Sequence, residues 1–143
     1  MLKMLVCVDG SEASLRAVDF VMRKKDWYRD PVEVHLINVQ PPMPYGSSVT
    51  SAIGHDAVNK YHKDEAMAAL QPAMQKLQAA GMTLSHHICV GDPAELITDF
   101  AKERGFDQIV MGTRGVGSTV GLMLGSVATK TIHLSEVPVL LVK

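Results

Sequence analysis

No stretch of these 143 residues stays apolar for anything near the roughly 18 residues a membrane-spanning helix needs, so no membrane partner is expected. The opening segment, Met1 to Asp9, holds too short an apolar core for a secretory signal, which places the expected location in the cytoplasm. Cysteine is scarce: Cys7 and Cys89 stand far apart, without the close spacing of a zinc or redox pair, and read as reduced core thiols. An excess of positive charge is also missing, with 14 basic against 15 acidic residues and a formal charge of −1. The one basic cluster, Arg23-Lys24-Lys25, falls near the expected carboxyl end of a helix, where cations complement the dipole. No nucleic-acid partner is expected.

Several site motifs are absent as well. The first strand-to-helix turn is Asp9-Gly10-Ser11-Glu12, without the Gly-x-Gly-x-x-Gly of a dinucleotide fold. Lys130-Thr131 follows Thr129, which fails the P-loop pattern, and neither a Gly-x-Ser-x-Gly elbow nor a His-Glu-x-x-His metal motif occurs. His86 and His87 are neighbours in a strand-like run and point to opposite faces. His55 and His62 read as surface polar residues at a helix entry, and His133 as a partner for a helix end. No nucleophile–base pair or carboxylate pair emerges from spacing, and no metal site is expected.

The chain that remains is 47% hydrophobic and of a length that suits one domain, residues 1–143, with a core of its own. Apolar runs alternate with helical patterns. Strands are expected at Met4 to Val8, Val32 to Val39, Met82 to Val90, Gln108 to Met111 and Val137 to Val142. The first is apolar throughout, as a strand buried on both faces should be. Helices are expected after Ser11, from about Asn59 to Ala80, from Pro93 behind an Asp92 cap, and over Val127 to Leu134. Pro72 should kink or split the second. Gln40 to Ser48 reads as a long loop. Strands separated by helices predict right-handed crossovers and a doubly wound α/β domain: a parallel five-stranded sheet with helices on both faces.

In such sheets ligands bind beyond the carboxyl ends of the strands, where strand order reverses. If the first and fourth strands flank that reversal, Asp9-Gly10 and Gly112-Thr113 meet there. The fourth strand runs into Gly112-Thr113-Arg114-Gly115 and, nine residues on, Gly125-Ser126 at the start of a helix. Glycines at a helix entry let backbone N–H groups approach an anion, and Ser126 offers either a helix cap or a hydroxyl to phosphate. The same glycines also suit plain turns. Arg114 is placed either to neutralise phosphate or to stay solvated. Asp9 is either a turn-forming carboxylate or a contact for a nucleotide's sugar, base or metal-bound water.

The pattern Gly112-x-x-Gly115, nine residues, Gly125-Ser126, together with Val8-Asp9-Gly10-Ser11 and Val137-Pro138-Val139, resembles the ATP-binding branch of the universal stress protein family over the whole chain. The resemblance implies strand order 3-2-1-4-5 and a homodimer paired through the C-terminal strand. It implies an adenine-nucleotide site, for ATP or AMP with or without Mg²⁺, with Asp9, Val39, Met111 and Gly112 at base and ribose. Gly115, Gly125, Ser126 and Val127 match its phosphate cradle. The segment Val116 to Leu124 departs from many members in having no Lys or Arg, which points to weaker triphosphate binding or a preference for AMP or ADP. The implied role is that of a nucleotide-binding regulatory protein of the stress response. The alternatives are a slow ATPase or autophosphorylating enzyme, or a structural dimer with a vestigial site.

Overall fold

The computed structural model describes residues 1–42, 54–114 and 124–143. Five strands, β1 (Leu2–Cys7), β2 (Val32–Gln40), β3 (Thr83–Val90), β4 (Gln108–Gly112) and β5 (Val139–Val142), form one sheet in the order β3-β2-β1-β4-β5. Every neighbouring pair is parallel. The helices between them are α1 (Glu12–Lys24), α2 (His55–Ala79), α3 (Pro93–Glu103) and α4 (Ser126–Leu134). The doubly wound α/β fold with order 3-2-1-4-5 is therefore observed.

Why the chain is apolar from Met4 to Val8 is clear from the place of β1 at the centre of the sheet. Met4, Val6 and Val8 face α1 and α2 in a core with Ala17, Val18, Val21, Leu70 and Leu77. Leu5, on the other face, packs with Ile37, Ile97, Ala101, Phe106 and Ile109, beneath α3. Period-two alternation needs a solvated face, and β1 has none. The last strand lies at the sheet edge as its proline requires: Pro138 precedes β5, and its carbonyl accepts a bond from the Ile109 amide at 2.9 Å.

Helix α2 differs from the sequence expectation in three ways. It begins at His55, ahead of Asn59, with a first turn, His55 to Val58, that buries no residue and so lies outside the inward stripe that marks the helix in sequence. It also runs unbroken through Pro72. Pro72 and Ala68, whose carbonyl would otherwise receive the missing N–H, both lie on the exposed side, where water satisfies the orphan acceptor. The inward stripe of Ala66, Leu70, Ala73 and Leu77, all at 0% exposure, carries the helix past the break. Finally, His62 sits on that same stripe, one turn before Ala66, and is buried with Nδ1 unbonded. His55 is exposed, but His62 is not the surface residue that its polarity predicts. The end at Gly81 is as expected: the Gly81 amide bonds the Gln78 carbonyl and the Met82 amide that of Leu77.

Candidate functional site

Strand order reverses between β1 and β4, which leave the sheet side by side with Val6 opposite Val110. Their connections diverge, β1 leading to α1 and β4 to α4, and a cleft opens between them. Asp9, Val39, Met111, Gly112, Arg114, Gly125, Ser126 and Val127 all line it. Gly115 belongs to the segment 115–123, outside the described residues.

On the β1 side, Asp9 shapes the turn into α1. Its Oδ1 accepts bonds from the Ser11 amide (2.9 Å) and the Ser11 hydroxyl. Ser11 in turn caps α1, accepting from the Ser14 amide at 3.1 Å. Gly10 between them has φ of 88°, and a Cβ there would lie 3.4 Å from that of Ala69 on α2. Asp9 thus forms the turn and also lines the cleft. Asn38 fixes the height of this turn. It is 2% exposed, donates from Nδ2 to the Val8 carbonyl at 2.8 Å and accepts at Oδ1 from Gln40 at 2.7 Å.

On the β4 side, Gly112 lies against the first turn of α1: a Cβ would stand 2.9 Å from the backbone C and O of Ala13. Its smallness therefore serves the approach of α1. Thr113 then ties the loop ends, its amide bonding the Val142 carbonyl at 3.2 Å and its carbonyl accepting from the Gly125 amide at 2.7 Å.

Gly125, not Ser126, is the N-cap of α4. It has φ of −63° and makes no side-chain cap bond, and no acidic residue stands in the first turn. The other helices differ. Ser11 caps α1 ahead of Glu12, Asp92 caps α3 ahead of Glu95, and α2 has Asp56 in its first turn. So α4 alone presents N–H donors and a positive dipole end that nothing described in its own chain offsets, and it presents them to the cleft. Lys130, one turn on, is committed elsewhere, to Asp92 at 3.0 Å and Glu95 at 3.6 Å. The Glu95 amide and then Lys130 hold the Asp92 carboxyl below the usual range, and the hydrogen bond to Asp92 raises the Lys130 amine.

The floor is apolar. Ile37 and Val39 of β2, Ile97 of α3, Met111 and Cys7 compose it. Burial, helped by the Asp9 charge, pushes the Cys7 thiol up to about 12, so it stays protonated and inert at neutral pH. Both cysteines are free. Asp9 is the sole carboxylate among the described lining residues, and no histidine is among them. No group of three or more metal-ligating side chains occurs among the described residues. The arrangement suits an anion on the α4 side and a flat apolar group on the floor.

Sequence reasoning did not identify Cys7, Ile37, Ile97 and Pro93 as lining residues, nor Asn38 as the support of the Asp9 turn. Alternation marks Cys7 and Ile37 as sharing the face beneath α3. Asn38 carried one signal: by alternation it shares the face of Val32, Val34 and Leu36, a polar side chain at the end of an otherwise apolar row.

No described helix is long and apolar enough to cross a membrane. Comparison with known proteins gives a match to the model of the universal stress protein family over residues 1–143. Universal stress protein YxiE of Bacillus subtilis is 31% identical, over 99% of this chain and 98% of that protein. The solved structure of MJ0577, a universal stress protein of Methanocaldococcus jannaschii, is 30% identical with a TM-score of 0.83, covering 99% of this chain and 95% of its own. A universal stress protein solved in complex with cAMP is 26% identical with a TM-score of 0.67, covering 99% of this chain and 96% of its own. The chain belongs to the universal stress protein family.

Proposed function

We propose that the cleft between β1 and β4 binds an adenine mononucleotide, ATP or AMP, and that its occupancy regulates a stress-response partner. The observation that carries this reading is the start of α4, uncapped by any described side chain, free of acid in its first turn and open to the cleft. Phosphate lies there, against Gly125, Ser126 and Val127, with Arg114 beside it; Gly115, outside the described residues, is assigned to the same cradle from the sequence pattern alone. The base lies on the apolar floor against the backbone near Val39 and against Met111 and Gly112, and Asp9 meets the ribose. The cAMP complex of a 26% identical family member supports the choice of an adenine nucleotide. With Asp9 the one carboxylate among the described lining residues, an accompanying Mg²⁺ is held mainly by phosphate and water.

Binding is favoured over hydrolysis because no described lining residue forms a nucleophile–base pair: Asp9 is engaged with Ser11, and the Ser14 hydroxyl donates to the Ser11 carbonyl at 2.9 Å. The reading also includes one domain over residues 1–143, a cytoplasmic location and a homodimer through the outer edge of β5, on which no described strand pairs. Mass spectrometry of gently purified protein tests it. Copurified adenine nucleotide, with a melting shift on adding ATP or AMP, is expected. Absence of both would leave a vestigial site.

A further inference from the structure

Away from the cleft, on the same face of the sheet, two imidazoles meet head to head. His35 Nδ1 on β2 lies 2.8 Å from His87 Nε2 on β3, and the rings are coplanar within 2° with centroids 5.1 Å apart. That separation is too long for face-to-face stacking at 2.8 Å contact, so the rings share an in-plane hydrogen bond. Behind His35, Glu33 Oε1 lies 3.0 Å from Nε2, with both side chains largely shielded at 28% and 14% exposure. The carboxylate fixes a proton on His35 Nε2, which leaves Nδ1 as acceptor and makes His87 Nε2 the donor.

Two aromatic rings close this chain from above. Phe100 of α3 tilts over His87 at 4.7 Å, and Phe106, just past the end of α3, meets His35 edge-on at 4.9 Å. The charges around it come from every neighbouring element. Lys3 of β1 stands over the Phe106 ring and Arg104 at the end of α3 over the Phe100 ring. His86 adjoins on β3, and the Asp107 carboxylate is occupied by the Lys3 amide at 2.8 Å. Among the described residues Glu33 is the one carboxylate bonded to the pair. Burial first, then His35, Arg104, His86 and Lys3, lower the affinity of His87 for a proton.

We propose that Glu33, His35 and His87 form an acid-sensitive latch seating edge strand β3 and the carboxyl-terminal half of α3 on the sheet. The proton count defines its states. In the neutral pair one proton lies between the facing nitrogens. The first proton added goes to the outer Nδ1 of His87 and leaves the bond intact. The second has only the facing Nδ1 of His35, which sets N–H against N–H at 2.8 Å, and the bond must open. Opening frees β3, held on its other side by no described strand, and unseats Phe100. The same helix supplies Pro93 and Ile97 to the cleft, so the seat of a cleft wall becomes proton-dependent.

His87→Gln sets an amide opposite His35 Nδ1 that donates its N–H to the neutral ring and, after an amide flip, accepts from the protonated one, so no N–H is forced against N–H in any protonation state. Between about pH 7 and about pH 5 the melting temperature of the full chain is expected to fall, and His87→Gln to remove at least half of that fall. Other titrating groups are common to both proteins and cancel. Nitrogen-15 imidazole spectra of the unsubstituted chain give a second readout that does not depend on the variant folding. Two coupled protonation steps, with the shared-proton signal lost at the second, are expected. Parallel declines of the two proteins, or two rings titrating as independent single sites, would overturn the latch.

Discussion

Gly112 at the end of β4 and Ala13 in the first turn of α1 are in such close contact that a single added carbon at Gly112 would meet the Ala13 carbonyl carbon and oxygen at 2.9 Å. Backbone is the obstacle, so no side-chain rotation relieves it. Gly112→Ala is expected to cost about 1–3 kcal/mol, the usual range for overpacking, read as a lower urea midpoint. Unchanged stability would mean that α1 can shift away from β4 without loss.

Asn38 joins the ends of β1 and β2 beneath the Asp9 turn. Asn38→Ala leaves the buried Val8 carbonyl without its side-chain donor and Gln40 without its acceptor. A loss of about 1–3 kcal/mol is expected in chemical denaturation. Asn38→Asp, which keeps shape but removes the donor, is expected to lose at least as much.

Pro72→Ala restores a helix donor on the exposed side of α2 without touching the inward stripe. The melting temperature is expected to rise, by the equivalent of about 1–3 kcal/mol. A fall would show that Pro72 sets a bend the packing of α2 requires.

Cys7 gives a pH dependence of opposite sense to that of His87. Its thiol titrates near 9.0 when exposed and at about 12 in the fold, so the unfolded chain loses that proton first. The stability it contributes is complete below pH 9.0 and is lost as pH rises through about 12. Cys7→Val is expected to flatten the alkaline decline in melting temperature. Alkylation of the native chain at neutral pH is expected to leave Cys7 unmodified, and alkylation in urea to reach it.

Much of this fold was legible because β1 is apolar on both faces and because Asp92, Pro93 and Glu95 spell out a helix start in sequence. Residues that answer to tertiary neighbours were harder to read. His62 looked like a surface residue since polarity says nothing of the stripe it shares with Ala66 and Leu70, although its four-residue spacing from Ala66 was visible. Pro72 left α2 undecided because its cost depends on which way the orphan carbonyl faces. At the cleft, spacing marked Gly112 and Gly125 and a place at a strand's carboxyl end marked Asp9, all three of which line it, whereas Cys7, Ile37 and Ile97 reach it only through the register of β1, β2 and α3. The Glu33, His35 and His87 chain was invisible because the pairing of β2 with β3 that aligns Ile37 with His87 is not written in either strand alone.

Ser126→Glu separates the anion-site account from mere stability. An acid in the first turn of α4 complements the dipole and is expected to stabilise the unliganded chain by about 0.3–1 kcal/mol, while its charge competes with phosphate for the same donors. The most direct test is a calorimetric titration of ATP and of AMP, each with and without Mg²⁺, into the full chain and into Ser126→Glu. Saturable binding to the unsubstituted chain, weakened at least about tenfold in a Ser126→Glu protein that melts no lower, is the expected result. No binding of either nucleotide to the unsubstituted chain, or equal affinity in both proteins, would contradict it.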